Sequence, residues 1–340
     1  MKRLMHTALI TVIAAQVLVI GQGSDVARVL ADVRRALGGE DKLAAVKTLS
    51  AEGTLTRPLP DGTSRASQFE MAMALPDKYM RKDVIGMING ASISRTSGFN
   101  GDEVIEITDM PPQFGGSHSI IMRPGGAAPG TPLAPEQEQQ RRLAALQSTR
   151  REFARLALGM FGAQFAPYPL ELRHAGPAES PEGKADVLEV RHTDGFVAKL
   201  FIDASTRLPL MLSWMDKEPL TMAPMTLQRG SGGSVSAGGG GGVQVFRGGS
   251  GGSVSQEETD RMMREQQERL KKAEARRKVV EYRMFYGDYK AVDGVRLPMR
   301  IQRAIAGQPV DEIALERIRI NPKLDEKTFA AGQRRASDDR

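Results

Sequence analysis

The sequence predicts an α+β fold built on antiparallel sheet, and three observations carry that prediction. Runs of alternating apolar and polar residues are joined by dipeptides suited to tight hairpins: Asn89-Gly90, Asp194-Gly195 and Asp293-Gly294. Two segments, 24–37 and 136–161, instead repeat their apolar residues at helical spacing. The chain has no cysteine, so a core must hold it without disulfides, and 340 residues are enough to build one.

The elements follow in order. Lys2 and Arg3 precede a mostly apolar run over 4–20, and Gly21-Gln22-Gly23 ends it with small residues, the order of a secretory leader (1–23). The alternative is a single membrane anchor, for which about 17 residues is the bottom of the spanning range. No cysteine follows the run, so acylation there is excluded and a periplasmic protein that is not a lipoprotein is expected. Val26, Val29, Leu30, Val33 and Leu37 make one face of a first helix that Gly38-Gly39 stops, and a short helix over 40–47 follows. Strands are expected over 48–57, 69–75, 79–88, 91–98 and 103–107, with 99–102 as a turn. The Pro/Gly-rich stretch 110–135 reads as a long loop. In the helix over 136–161, Leu143, Leu146, Phe153, Leu156 and Met160 form the apolar stripe and Gly162 the stop. Strands resume at 170–175, 185–192, 197–203 and 208–215.

Composition then changes. Residues 229–255 hold 12 glycines, and the segment beginning at Arg229 nearly repeats at 247–255, as in a flexible low-complexity insert. The polar segment 256–278 carries acid-then-base pairs four apart (Glu257–Arg261, Asp260–Arg264, Glu265–Arg269, Glu268–Lys272, Glu274–Lys278), each contributing roughly 0.2–0.5 kcal/mol to a helix. It reads as a solvated spacer or a partner-binding arm. Three strands close the chain at 279–285, 295–305 and 313–320, with turns at Asp293-Gly294 and 307–309 and a stop at Asn321-Pro322.

Charge and chemistry exclude several functions. The net charge of +6 includes Lys2 and Arg3 of the leader, basic and acidic residues are interleaved, and aromatics are 5%, so no nucleic-acid footprint is present. Without cysteine there is no thiol catalysis or thiolate metal site. The four histidines (His6, His118, His174, His192) have no partner at metal-ligand spacing, there is no G-x-S-x-G elbow, and the glycine runs lack the ending of a phosphate loop. No enzyme, cofactor or metal is expected. Seventeen methionines, among them Met71, Met73, Met80, Met87, Met211, Met215 and Met299 on strands, either fill a core or line a cavity that adapts to apolar ligands.

The order of several segments resembles the LolA/LolB-like superfamily of periplasmic outer-membrane lipoprotein-sorting and carrier proteins. The likeness runs through the opening helix with Gly38-Gly39-Glu40-Asp41-Lys42-Leu43 and Val46-Lys47-Thr48-Leu49-Ser50-Ala51-Glu52-Gly53. It continues through Ser97-Gly98-Phe99-Asn100-Gly101 and Phe201-Ile202-Asp203-Ala204-Ser205-Thr206-Arg207-Leu208-Pro209. It ends in Asp288-Tyr289-Lys290-Ala291-Val292-Asp293-Gly294-Val295-Arg296-Leu297-Pro298, Ile320-Asn321-Pro322-Lys323-Leu324 and Phe329. Glu103-Val104-Ile105 stands where relatives often place a tryptophan, and 229–278 is an addition.

The resemblance implies a curved antiparallel β half-barrel with helices across its open side and an apolar cavity between, interrupted by the low-complexity insertion. The expected organisation is one domain over 24–215 and 279–332, an insertion over 216–278 and a disordered tail over 333–340. The expected function is non-catalytic carriage of a lipid or acylated protein, with Phe69, Met71, Met73, Leu210 and Leu212 lining the cavity. Val29, Val33, Leu146 and Phe153 would belong to the lid. Arginine at Met71 or Met73 is expected to abolish acyl binding with the fold largely intact. The alternative is an envelope sensor that uses 229–278 to hold a protein partner. Neither reading leaves a stable membrane span after leader cleavage.

Overall fold

A computed structural model describes residues 22–88, 90–109, 134–162, 167–181, 183–219 and 256–330. Residues 1–21 of the expected leader, the loop core at 110–133, the glycine-rich insert at 220–255 and the C-terminal tail lie outside the described residues, whereas Gln22 and Gly23, expected to end the leader, begin the first helix.

Twelve strands form one antiparallel sheet in the order β5-β4-β3-β2-β1-β12-β11-β10-β9-β8-β7-β6, open at both edges. The strands are β1 (Thr48–Pro58), β2 (Ser64–Ala74), β3 (Lys78–Ile88), β4 (Ala91–Asn100), β5 (Glu103–Asp109), β6 (Glu171–Ser180), β7 (Gly183–Arg191), β8 (Val197–Asp203), β9 (Pro209–Lys217), β10 (Val279–Val292), β11 (Val295–Ile305) and β12 (Gln308–Ile320). The order has one long-range step: β1 pairs with β12, so the end of the chain closes the middle of the sheet. Every other neighbour in the sheet is consecutive in sequence, as short hairpins require.

Among the described residues four α-helices accompany the sheet: α1 (Gln22–Leu37), α2 (Glu40–Ala44), α3 (Pro135–Phe161) and α4 (Gln256–Arg276). Helix α1 packs on β6 and β11, and α3 on β4, β5, β9 and β11, so both lie over one face of the sheet. The architecture is a curved half-barrel with helices across its open side. On that inner face, alternate residues of β1, β2, β7, β8, β9, β11 and β12 join α1 and α3 in a single apolar cluster. The outer face carries two smaller clusters, one around Val187, Phe201 and Met211, the other where Phe329 of a short 3₁₀ turn covers Ala72 and Ile105.

Several local details follow from backbone chemistry. Asp293 and Gly294 both adopt positive φ (48° and 80°), as the two-residue turn between β10 and β11 requires. Gly162 caps α3 in the left-handed conformation, and its amide donates to the Leu158 carbonyl. Gly159 allows the tightest helix–sheet approach, because a Cβ there would lie 2.1 Å from the Tyr286 ring. Gly159→Ala therefore lifts α3 from β10 and costs about 1–3 kcal/mol. Urea unfolding checks this, and an unchanged midpoint would place α3 farther from Tyr286 than the structure does.

Other expectations need correction. Leu143 belongs to no core stripe and is 53% exposed, because α3 packs closely only from Leu146 onward. Helix α2 ends at Ala44, and residues 99–100 extend β4 instead of turning. Strand β2 begins at Ser64 and β10 continues to Val292 across the positive-φ Asp288, where the ladder skips from Gly287 to Tyr289. The methionines do not share one face: Met71 and Met73 are inner, Met80 and Met211 outer, and Met87 and Met215 exposed. Among the described side chains of α4 the ion pairs are Arg261–Glu265 and Lys271–Glu268, while Glu274 pairs with Arg277 and with Lys217 of β9; the expected pairs of Glu257 and Asp260 lie outside the described side chains.

Strands β9 and β10 pair directly, Lys217 with Val279, and the Glu218 amide donates to the Lys278 carbonyl. Everything between them is thus an excursion within one hairpin. The described side chains of α4 are mostly exposed. No described helix is long and apolar enough to cross a membrane.

Candidate functional site: the helix-covered inner face

Alternation along each strand decides what faces the helices. In β2, Phe69, Met71 and Met73 point inward, and Ala72 and Ala74 outward. In β9, Leu212 and Trp214 point inward and Met211 outward. Phe69, Met71, Met73 and Leu212 therefore fall in the same buried cluster as Val29 and Val33 of α1 and Leu146 and Phe153 of α3. Leu210 stands apart. The register shift opposite Phe201 and Ile202 puts it in a bulge, 40% exposed.

The inner layer is closed in this structure. Met73, Val29, Val33, Phe153 and Leu212 are fully buried, and Phe153 is wedged between Tyr79 and Phe99 at ring-centre distances of 5.0 and 5.6 Å. An arginine at Met71 or Met73 would carry a charge into this buried layer, at a cost of several kcal/mol. That cost bears on the expectation that such a variant keeps its fold, which urea unfolding of the variant tests.

Two polar clusters border the apolar layer. In the first, Arg57 of β1 donates to Asp83 of β3 (2.6 Å), and Arg81 donates to Glu152 of α3 (2.6 Å). Arg81 also lies 3.4 Å from Asp83, and Arg303 is paired with Asp311 alongside. Arg81, Asp83 and Asp311 are buried, so α3 is fastened to the sheet by a charge-balanced network. Burial alone would raise the Glu152 carboxyl, but Arg81 and Arg303 outweigh it and hold it below its usual range.

The second cluster centres on Asp194 in the β7–β8 turn. Its carboxylate accepts from Arg151 of α3 (2.8 Å), from the Tyr168 hydroxyl (2.8 Å) and from the Phe196 amide (2.9 Å). Tyr168 stacks on His192 at 3.7 Å, and His192 Nδ1 lies 3.0 Å from Asp194. That nitrogen can accept the Asp194 amide or donate to the carboxylate, not both. Burial again acts to raise the Asp194 carboxyl, and the donors around it prevail, holding it well below the carboxylate range. Asp194→Ala strips the acceptor from three donors and should cost about 3 kcal/mol at the rate of ~1–3 kcal/mol per buried orphan. A loss under about 1 kcal/mol in urea unfolding would show that water replaces the carboxylate.

Between these clusters, Arg155 of α3 lies over Trp214 and Phe196, its carbonyl accepting from the Tyr286 hydroxyl (2.7 Å). The sequence reading missed Arg81, Asp83, Arg151, Glu152, Arg155, Asp194, Arg303 and Asp311. One signal was available: Tyr79, Arg81 and Asp83 share a strand face, so two charges stand in line with a residue that is buried. Among the described residues no group of three or more histidines and carboxylates is placed to hold a metal.

An open antiparallel half-barrel whose inner face is roofed by two helices is thus the class of structure this chain adopts. No family model and no curated protein matches the sequence. Similar solved structures include a LolA superfamily protein from Nitrosomonas europaea, with 9% identity, a TM-score of 0.44 and coverage of 92% of this chain and 98% of that one. A putative outer membrane lipoprotein-sorting protein domain from Vibrio parahaemolyticus is 10% identical with a TM-score of 0.43, covering 88% and 94%. A DUF1329 family protein from Desulfovibrio piger is 9% identical with a TM-score of 0.43, covering 90% and 97%.

Proposed function

We propose that this chain is a non-catalytic periplasmic binding protein that holds the acyl chain of a lipid or acylated protein between the inner sheet face and helices α1 and α3. The observation that supports this reading is the apolar continuity of the inner face. One cluster runs from Phe69 and Met71 through Leu315 and Leu297 to Leu212, and its helical side comes from α1 and α3. Contacts of this kind are non-directional, so an acyl chain can replace helix side chains at about 0.8 kcal/mol per buried CH₂. Entry requires α1 or α3 to lift, which makes Val29, Val33, Leu146 and Phe153 the moving wall and Phe69, Met71, Met73 and Leu212 the fixed one. The single domain interrupted between Lys217 and Val279, and the leader expected over 1–23, belong to the same reading.

Native mass spectrometry of protein exported with its own leader, followed by organic extraction, tests this. A lipid or acylated peptide released only on denaturation is expected. An empty protein that also ignores added fatty-acyl probes would remove the carrier reading.

The exposed charged faces of α4 favour a second reading, in which 229–278 holds an envelope protein. Deleting 229–278 separates the two. Acyl-probe binding survives if the sheet and helices carry function, whereas a co-purifying protein is lost if the insertion does.

A further inference from the structure

Four buried side-chain nitrogens in the described residues have no hydrogen-bond partner: Arg150 Nε, Arg155 Nε, His174 Nε2 and Trp214 Nε1. Two of them sit beside carboxylates of the chain itself. Arg150 donates through another nitrogen to Asp102 (2.7 Å), and His174 lies within 4.0 Å of both Asp25 and Asp186. The other two belong to side chains that touch. The Arg155 guanidinium lies 4.0 Å from the centre of the Trp214 ring and 5.1 Å from that of Phe196.

Among the described residues, the candidate acceptors are engaged elsewhere. Glu152 is taken by Arg81, Asp194 by Arg151 and Tyr168, and the Tyr282 hydroxyl by the Lys217 carbonyl (2.7 Å). Among the described residues no carboxylate comes within ion-pairing distance of Arg155. Glu152 and Asp216 act on it only at longer range. Burial, with the charge of Arg151, pushes the Arg155 guanidinium down to about 10, so it stays cationic at neutral pH.

Stacking on Trp214 stabilises the charge but leaves Arg155 Nε and Trp214 Nε1 unpaired. A buried donor without an acceptor is destabilising, and native structures keep few of them. Two such donors on touching side chains, one of them a cation with no counter-ion among the described residues, call for an acceptor that the described residues do not supply. A guanidinium fork and an indole N–H suit an oxyanion, since both are donors only. Trp214 is 6% exposed and belongs to the inner apolar cluster, so an anion held here stands at the border of the layer that accepts the tail.

We infer that Arg155 and Trp214 form a seat for the anionic head-group, carboxylate or phosphate, of the amphiphile bound on the inner face. This rests on the carrier reading above and adds the polarity of the ligand and its orientation, head toward Trp214 and tail toward Met71 and Phe153.

Trp214 is the chain's only tryptophan, so its fluorescence reports on the seat without labels. The full-length mature protein is titrated with palmitate, with hexadecanol and with a lysophosphatidate. Palmitate or the lysophosphatidate is expected to bind at least about tenfold more tightly than the alcohol and to shift Trp214 emission, the tighter of the two assigning carboxylate or phosphate. In Arg155→Met that preference collapses to near unity while alcohol binding persists. Should Arg155→Met not fold, Trp214→Phe, read by displacement of a fluorescent acyl probe, is expected to lose part of the same preference. Equal binding of acids and alcohol by the wild type would overturn the seat and leave the carrier reading standing. Binding of none of the three would overturn both.

Discussion

Glu152→Ala is expected to lower stability by about 3 kcal/mol and to flatten its dependence on pH in the acid range. Arg81 is buried under α3, and Glu152 is its closest acid at 2.6 Å, while Asp83 is shared with Arg57. Removing one partner of a buried pair leaves an uncompensated charge, which typically costs about 3–5 kcal/mol. The lower end applies because a third of the Glu152 side chain is still reached by solvent. The sign of the pH effect follows from the direction of the shift. The folded carboxyl titrates below its ordinary value of 4.5, so its contribution is complete above that value. It is then lost as pH falls through the lower, folded one. Urea midpoints between pH 7 and pH 3 should fall for the wild type and less steeply for Glu152→Ala. Parallel profiles would mean that Glu152 does not carry the acid sensitivity of the α3–sheet contact.

Phe153→Ala is expected to cost about 3–5 kcal/mol, the range for truncating a buried aromatic. Its ring has no solvent exposure and contacts Tyr79 at a tilt and Phe99 edge-on. The vacated space lies where the acyl chain is proposed to enter, so the same variant should bind an apolar probe more tightly per unit of folded protein. Chemical denaturation gives the first quantity and probe titration the second. A stability loss below about 1 kcal/mol would contradict the packing. An unchanged probe affinity with the full stability loss would place the ligand elsewhere on the inner face.

Much of this fold was legible because its signals are local. Asp293-Gly294 and Gly195 take the positive φ angles that their hairpins need, and Gly162 stops α3 where a left-handed residue was expected. The alternation in 69–73 correctly separated one apolar face, and the Val26–Leu37 stripe identified the helix that packs on it. What was missed is non-local or broken by an irregularity. Strand β6 runs to Ser180 although Gly176 and Pro177 interrupt it, because an edge strand tolerates both. The bulge at Leu210 put that residue out of the layer it was assigned to. The site's polar residues were opaque for a different reason. Arg81, Glu152 and Arg303 are far apart in sequence, and each resembles a solvated surface charge until β3, α3 and β11 bring them together.

Photo-cross-linking with a fatty acid that carries a diazirine near its methyl end tests the central proposal most directly. The full-length mature protein is irradiated with the bound probe, digested and mapped. Adducts should concentrate on residues 69–73 of β2 and 146–160 of α3. Adducts confined to the outer face, around Phe201 and Phe329, or absent at saturating probe, would contradict a ligand held between the inner face and its helices.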